Sequence, residues 1–402
     1  MFLLESFCLK QGTLSGSLRL LYKGRKQYLC QGYFYWNCTM KRLLVILMLF
    51  FTFITNACGM KDSVEVVYSE EVELVSVVAY LANVPGYVWD EQVLAEYKSD
   101  VDSSFAAFKE HPVIKYVSDS LYRDGFNWHF PVTVALRFNI DNGSLVYDDK
   151  LVSDFDNYYD RITQKREAEF LAMLSDFYEK SDFHTFFKAH ATLYNECVCA
   201  MQKVVDAIDF AWYDSFFGKR ENSAFKIYLG LLIGPANYAV HQKYNDGKEV
   251  FNAVMGCCDK DKDGKIFYGI SYTLPIIIHE FNHSYCNPLN EEFWDAIKDK
   301  AEKIYAANSD FYSSIAYGTP LLVMNETFVE ASVIRYLMSH NVDLNGYTIE
   351  DWIKMDEQEK RFVMIRDIIK ALGEREELIH SFPTMKDFMP RYVEAVNGFI
   401  VP

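Results

Sequence analysis

The pentapeptide His279-Glu280-Phe281-Asn282-His283 constrains this chain of 402 residues more than any other feature. Residues four apart lie on the same face of a helix, so His279 and His283 can bind one zinc ion together if the segment is helical. Glu280 would then project beside the metal, where a carboxylate can take a proton from a bound water. Because five residues in this pattern also occur by chance, the surrounding sequence has to decide.

The residues around this motif favour a buried helix. Pro275 suits a first helical turn, and Asn287 followed by Pro288 suits a helix end. The positions between them are largely apolar, namely Ile276, Ile277, Ile278, Phe281 and Tyr285. A buried apolar helix that carries two histidines and a glutamate favours a metal site over a solvent-exposed polar face.

A second helix is expected to supply the third metal ligand. Thr319 as N-cap and Pro320 at the first helical position predict a helix start. This helix contains Glu326, which lies 43 residues after His283, and Glu330, which is four residues further on and therefore on the same face. Apolar neighbours argue against two solvent-exposed glutamates, and they are Leu321, Leu322, Val323, Phe328, Val329, Val333 and Ile334.

With these residues the chain resembles the gluzincin metallopeptidases, which combine H-E-x-x-H with a glutamate on a later helix. The resemblance implies that His279, His283 and Glu326 bind Zn²⁺. It also implies that Glu330 holds a ligating histidine by its second ring nitrogen. Glu330 as the ligand in place of Glu326 stays open. Metzincins differ, because no third histidine follows His283 at their spacing.

The chain also resembles an uncharacterised family of secreted bacterial lipoproteins that carry an H-E-F-N-H motif and a domain of unknown function. This resemblance extends over most of the chain after its N-terminal segment. It implies export, but it implies no known substrate.

A hydrolytic site of this kind needs a hydrogen-bond donor for the oxyanion besides the metal. Tyr317, just before the second helix, is the candidate for this catalytic role, while Tyr272 and Tyr285 compete with it. The lone histidines of the N-terminal half have no predicted role, and they are His111, His129, His184 and His190.

The N-terminal segment predicts export. Lys41 and Arg42 precede an apolar run over 43–55, which is too short for a comfortable membrane span. Basic residues, an apolar run and a small residue before a cysteine are the pattern of a lipoprotein signal peptide. We therefore expect such a signal over residues 40–57, cleavage before Cys58 and a lipid on the sulfur of Cys58. Thr55 stands where such signals usually have an aliphatic residue, so ordinary secretion or an uncleaved anchor are the alternatives. Residues 1–39 are then expected to be an upstream extension from a start codon assigned too early.

The charge of the chain argues against nucleic acid as a partner. The formal net charge is −16, and residues 1–57 carry seven basic residues against one acidic residue, which leaves −22 for the remainder. Such a chain repels phosphates. The expected partners are a peptide or protein substrate and a membrane, which the N-terminal lipid would anchor. The expected location is the cell envelope, at the outer membrane or a periplasm-facing membrane.

Hydrophobic periodicity predicts an α+β fold that is mainly helical, with a small, largely antiparallel sheet next to the H-E-x-x-H helix. We expect a helical N-terminal region over 58–220 and a zincin-like metallopeptidase region over 221–402. Helical spacing covers 72–81, 111–122, 166–178, 194–212, 293–306 and 355–372. Strands are predicted over 225–233, 237–242, 249–257 and 265–272.

Three aspartates before the motif imitate a calcium-binding loop. Asp259, Asp261 and Asp263 precede Gly264, as in the first half of an EF-hand. Ile270 stands where that loop needs a bidentate glutamate. The sequence therefore predicts a polar hairpin turn here.

The predicted function is that of a gluzincin-like zinc metallopeptidase, a hydrolase. A sheet edge beside the metal could pair with an extended peptide, which favours a peptide over a sugar as substrate. The alternatives are a non-catalytic peptide- or ligand-binding lipoprotein on the same scaffold, and a structural zinc site. The choice between endopeptidase and exopeptidase stays open at this point.

Overall fold

The computed structural model describes residues 64–89, 93–155, 158–256, 258–315 and 317–401, which all lie in the compact unit Met60–Pro402. The predicted signal peptide, Cys58 and residues 1–39 lie outside the described residues. None of the helices in the described part is long and apolar enough to cross a membrane.

The first half of the unit is mainly helical, as predicted. It begins with strand β1 (Val64–Tyr68) and includes a hairpin of β2 (Phe138–Asp141) and β3 (Ser144–Tyr147). Helices α1 to α9 span Glu70–Leu81, Ala95–Phe105, Pro112–Asp119, Phe130–Ala135, Tyr158–Arg161, Gln164–Lys180, Phe183–Ala189, Ala191–Val205 and Ala211–Phe216, with 3₁₀ turns at Ala106–Phe108 and Leu121–Asp124. The helices predicted over 72–81, 111–122 and 166–178 are confirmed in their main parts, whereas the helix predicted over 194–212 ends at Val205 and a break precedes α9.

The main sheet combines three consecutive strands with β1. These strands are β4 (Ser223–Leu229), β5 (Asn237–Lys243) and β6 (Glu249–Met255), and the order is β1-β4-β6-β5. The predicted α+β class is confirmed. The sheet itself is mixed rather than largely antiparallel, since β1–β4 and β4–β6 are parallel and only β5–β6 is antiparallel. Parallel pairing needs a long crossover, here the whole helical region between β1 and β4, which local spacing cannot show.

The polar turn predicted at the three aspartates is confirmed. It joins the short antiparallel strands β7 (Asp259–Lys260) and β8 (Ile266–Phe267). The strand predicted over 265–272 is wrong beyond Phe267, because a helix begins at Ile270. A short apolar run fits the periodicity of a helix and that of a strand equally well. Here, burial against other elements determined which of the two structures forms.

Helices make up the rest of the unit. Helices α10 to α16 span Ile270–Glu292, Trp294–Ala307, Ser309–Ser314, Pro320–His340, Ile349–Glu359, Ile365–Glu377 and Met385–Gly398. The single helix predicted over 355–372 is wrong, because the chain breaks between α14 and α15. Arg361 lies in this break with a φ of 54°, a left-handed conformation that no α-helix continues through.

The motif helix α10 is longer than predicted at both ends. It starts five residues before Pro275 and continues past Pro288 to Glu292. An internal proline costs about 3 kcal/mol in a helix. Contacts with other elements offset this cost at Pro288. Asn290, two residues later, is fully buried and donates a hydrogen bond to Asn325 of α13 at 3.0 Å.

Helix α10 lies between the sheet and α13, and this position decides where the motif points. On the sheet side, the ring of Phe281 packs on Phe225 at 4.7 Å, and Tyr285 packs on Phe251 at 5.3 Å. On the opposite side, Asn282 Nδ2 donates to a main-chain carbonyl of α13. These contacts hold two faces of α10. Its third face points toward the edge strand β5 and α13.

Candidate metal centre

Three predicted ligand atoms converge between α10 and α13. His279 Nε2 lies 3.1 Å from His283 Nε2 and 3.5 Å from Glu326 Oε2, and His283 Nε2 lies 3.7 Å from Glu326 Oε1. In a tetrahedral zinc site with bonds of about 2.1 Å, donor atoms lie about 3.4 Å apart. The three side chains therefore fit a single ion of this size. In the described part of the chain, they are the one group of histidine, cysteine or acidic side chains that converges in this way.

Local sequence explains why α13 delivers its glutamate. Thr319 Oγ1 accepts a hydrogen bond from Leu322 N at 3.2 Å, so the predicted N-cap sets the start of the helix. From there on α13 is buried on nearly all sides, and Glu326 is only 7% exposed. A carboxylate held in this way loses little conformational entropy when it binds a metal.

Each histidine is oriented by a hydrogen bond from its second ring nitrogen. His279 Nδ1 donates to Glu330 Oε1 at 3.2 Å, and His283 Nδ1 donates to Asn287 Oδ1 at 3.2 Å. Both Nε2 lone pairs then face the convergence point. Glu330 lies beside a histidine, the position that the gluzincin resemblance implied, rather than among the three converging atoms. Asn287 is absent from the predicted site residues, although its spacing of four from His283 is a signal, because Asn287 followed by Pro288 also predicts a helix end.

A buried ion-pair network supports Glu330 from behind. The ammonium of Lys360 contacts the Glu330 carboxylate, and it also lies 3.0 Å from Asp356 Oδ1. Burial acts to raise the pKa of Glu330, but the charges of Lys360 and His279 outweigh burial and hold this pKa well below its usual value. Burial and the nearby Glu330 charge raise the pKa of Asp356 to about 7. Nothing in the local sequence of Lys360 signals this contact, which depends on the break after α14.

The electrostatics of the site favour a cation. Burial acts to lower the pKa of His279, yet the carboxylates of Glu330 and Glu326 outweigh burial and raise it to about 9. Glu280 is 7% exposed, and burial raises the pKa of its carboxyl group. Burial therefore makes this carboxyl group a stronger proton acceptor than an exposed glutamate.

Of the three candidate tyrosines, Tyr317 reaches the site. Its hydroxyl donates to Glu326 Oε2 at 3.4 Å, and its ring stacks on Phe362. Burial raises the pKa of Tyr317 well above its usual value, so the hydroxyl keeps its proton. By contrast, Tyr272 donates to Asp259, and Tyr285 packs in the core under the sheet.

The three ligands lie in a cleft of about 700 Å³. One side carries the motif residues with Tyr317, and another is formed by the edge strand β5. The helical N-terminal half supplies the remaining wall through Asn127, Trp128, His129, Phe130, Thr133, Arg137, Leu151, Val152, Phe155, Tyr158 and Arg161. No local pattern signals this wall, because it precedes the motif by more than a hundred residues.

His129, for which we predicted no role, faces this cleft. Its Nε2 lies 2.7 Å from Arg161 Nη1. The surroundings lower the pKa of His129 to about 4, first through desolvation and then through the positive charge of Arg161. The ring is therefore neutral near pH 7, accepts the hydrogen bond from Arg161 and keeps its proton on Nδ1.

Comparison with known proteins shows one family. Residues 69–395 match the model described as "Domain of unknown function (DUF4932)". Neither the curated proteins nor the solved structures contain a match. Since the family model covers more than half of the chain, including every residue of the candidate metal centre, the chain belongs to the DUF4932 family.

Proposed function

We propose that this protein is a gluzincin-like, zinc-dependent peptidase, exported as a lipoprotein through Cys58, that hydrolyses peptides or proteins at the bacterial cell envelope. One observation carries the proposal. Two imidazole nitrogens and a carboxylate converge within 4.8 Å of one another, beside a buried glutamate and in a cleft bordered by an open sheet edge. Two histidines and one carboxylate are one of the donor sets that occur in catalytic zinc sites.

The residues present fit zinc by number, type and spacing. His279, His283 and Glu326 would hold the ion, and no fourth histidine, cysteine or acidic side chain of the described residues joins them. This leaves a coordination position for water, as catalytic sites require and closed structural sites lack. Bound zinc would lower the pKa of that water to about 7 and polarise the scissile carbonyl.

The protein's own residues would then move the protons. Glu280 accepts a proton from the attacking water and later delivers it to the leaving amine, a double role that its raised pKa supports. Tyr317 keeps its hydroxyl proton and lies at the rim of the ligand group, where it can donate to the oxyanion. Its ring is held by Phe362, so little ordering is needed before reaction.

The edge strand supports a peptide as the substrate. Strand β5 pairs with β6 on one side only, and its residues 237–243 all line the cleft. An extended peptide can add to such an edge through main-chain hydrogen bonds, which require no particular side chains. A sugar offers no equivalent ladder.

Metal content tests the proposal first. The unit Met60–Pro402 and its His283→Ala variant would be purified without added metal and measured by elemental analysis. We expect about one zinc per chain in the unsubstituted protein and none in the variant. Absence of zinc from both, even after incubation with zinc, would overturn the peptidase proposal.

Turnover separates the peptidase from its rival, a ligand-binding lipoprotein on the same scaffold. The zinc-loaded protein would be incubated with a randomised peptide library, and products would be identified by mass spectrometry. Cleavage that Glu280→Gln abolishes supports the peptidase. Zinc without any cleavage favours the binding protein.

A further inference from the structure

The edge of β5 is open along only part of its length. Residues 148–155, which we name the strap, pair with its C-terminal end. Val152 N donates to Lys243 O at 2.8 Å, and Asn245 N donates to Lys150 O at 2.7 Å, with an antiparallel bridge between Leu151 and Tyr244. The strap therefore occupies the place that an added peptide strand would take beyond Lys243.

Other contacts hold the strap in this position. Arg137 Nη2 donates to Ser153 O at 2.6 Å, and Arg137 O accepts from Asp148 N at 3.0 Å. The ring of Phe155 packs edge-on against His241 with centroids 4.8 Å apart. Hydrogen bonds join Asp148 and Ser153 to Arg137, and they join the residues between these two to the sheet. The strap therefore forms a fixed wall across the groove.

The alternation of main-chain groups along β5 shows which part of its edge is open. Main-chain groups of an antiparallel edge strand point alternately toward the partner strand and away from it. Since Lys243 O points outward to the strap, the main-chain groups of His241, Ala239 and Asn237 also point outward. Among the described residues, no main-chain hydrogen bond outside the sheet reaches these three positions. The open edge is thus about five residues long, roughly 14 Å.

Charges in the cleft distinguish the two ends of a peptide. The described acidic residues that line the cleft are Glu280 and Glu326, both of which belong to the candidate metal centre. The other charged lining residues are cationic, namely Arg137, Arg161 and Lys243. Lys243 stands at the closed end, its side chain is 43% exposed, and its nearest carboxylate oxygen, from Glu249, is 3.9 Å away. A free carboxylate is complementary to the cationic side chains that line the cleft at this end.

We infer that the cleft binds the carboxyl end of a peptide, with the terminal carboxylate near Lys243 at the end closed by the strap. This inference rests on the proposed peptidase function and gives it the direction of a carboxypeptidase. In the reaction the oxygen of one water bonds to the carbonyl carbon and the amide C–N bond breaks. Glu280 carries one proton from the water to the leaving nitrogen, and the second water proton passes to the released amine or to solvent. The products are a shortened peptide with a new carboxylate and a released C-terminal fragment.

Binding tests the inference without turnover. Zinc-loaded Glu280→Gln protein would be mixed with two randomised hexapeptide libraries, one with free carboxyl ends and one amidated, and retained peptides would be quantified by mass spectrometry. We expect the free acids to be retained about tenfold more than the amides, because a charge-assisted contact is lost on amidation. Equal retention of both libraries would overturn the inference.

Matched lysine variants locate the contact. In the same Glu280→Gln background, Lys243→Met should abolish the preference for free acids, while Lys243→Arg should keep it. Lys248→Met makes the same change of charge in the exposed turn after β5, outside the cleft, and should leave the preference unchanged. An unchanged preference in Lys243→Met would contradict the assignment.

Product mapping separates failure of the inference from failure of the proposed function. The zinc-loaded, unsubstituted protein should release fragments from the C-terminus of free hexapeptides and spare the amidated ones. Internal or N-terminal cleavage would overturn the carboxyl-end inference and leave the peptidase standing. Absence of any cleavage would overturn the peptidase, and the binding comparison would then still decide whether the cleft recognises carboxyl ends.

Discussion

Glu280 and Glu326 lie in the same cleft, yet their positions suit them for different tasks. The Glu326 carboxylate spans two imidazole nitrogens, at 3.5 and 3.7 Å, with its two oxygens. Glu280 follows His279 directly on the helix, so its side chain is turned away from the ligand face by about 100°. Burial raises its pKa without placing it among the converging atoms. Role therefore follows from position on the helix rather than from residue type.

The first prediction separates metal binding from catalysis. Glu280→Gln removes the proton acceptor but no ligand, so it should keep about one zinc per chain. Turnover should fall by roughly 10²- to 10⁴-fold, the usual contribution of a general base. Zinc content and kcat on a peptide found by library screening are the measurements. A variant with near-normal kcat would exclude Glu280 as the base.

The second prediction concerns the residue that sequence reasoning missed. Asn287→Ala removes the acceptor that orients His283, and Glu330→Gln weakens the one that orients His279. Each change should weaken zinc binding about 10- to 100-fold, as measured by competition with a chromophoric chelator. Asn397→Ala, an exposed asparagine on the last helix, is the control and should bind zinc normally. Normal affinity in Asn287→Ala would show that this hydrogen bond does not orient the ligand.

At the scale of elements, capping residues predicted helix boundaries better than prolines did. The N-cap at Thr319 was recognised from two residues, and the structure places the cap hydrogen bond there. The ends of α10 were misplaced because both of its prolines lie inside the helix. A cap is a local interaction between near neighbours. By contrast, continuation through a proline depends on burial against other elements, which local sequence does not reveal.

The third prediction tests the start of α13. Thr319→Ala removes the hydroxyl that accepts from Leu322 N, which should lower the free energy of unfolding by about 1 kcal/mol. Thr319→Ser retains a capping hydroxyl and should remain close to the unsubstituted protein. Urea denaturation followed by circular dichroism gives both values. Equal losses in the two variants would mean that the methyl group, not the hydroxyl, contributes the stability.

At the scale of the whole molecule, the buried acid Glu73 couples folding to pH. Glu73 is fully buried on α1 and accepts hydrogen bonds from Tyr97 at 2.6 Å and from Leu231 N at 2.8 Å. Desolvation raises its pKa from 4.5 to about 7 despite these bonds. The folded chain therefore holds a proton between these pH values that the unfolded chain releases. Hence, through this group, the free energy of unfolding falls as pH rises across this window.

The fourth prediction follows from this sign. Between pH 4.5 and 7, the contribution of Glu73 to the free energy of unfolding should decrease by about 3 kcal/mol in total, at about 1.4 kcal/mol per pH unit. Glu73→Gln keeps an uncharged acceptor and should flatten this part of the pH profile. Glu377→Gln, an exposed control, should not change it. Denaturation midpoints at several pH values give the comparison, and an unaltered slope in Glu73→Gln would contradict the coupling.

The cleft is a property of the whole unit rather than of the motif region. The proposed metal ligands come from α10 and α13, whereas Trp128, His129 and the strap come from the helical half. Strand β1, also from that half, pairs with β4 in the sheet beneath α10. A substrate would therefore contact residues that are separated by almost two hundred positions in the chain.

The sequence by itself determined the paired histidines, the adjacent Glu280, the helix that carries Glu326 and Glu330, and the mainly helical α+β class. These features depend on spacing within one or two helical turns, which a chain encodes locally. Only the tertiary structure decided that Lys360 supports the site, that the sheet is mixed, and that the strap closes the groove at Lys243. Such contacts join segments far apart in the chain. They are set by which surfaces bury each other, and no short pattern records that outcome.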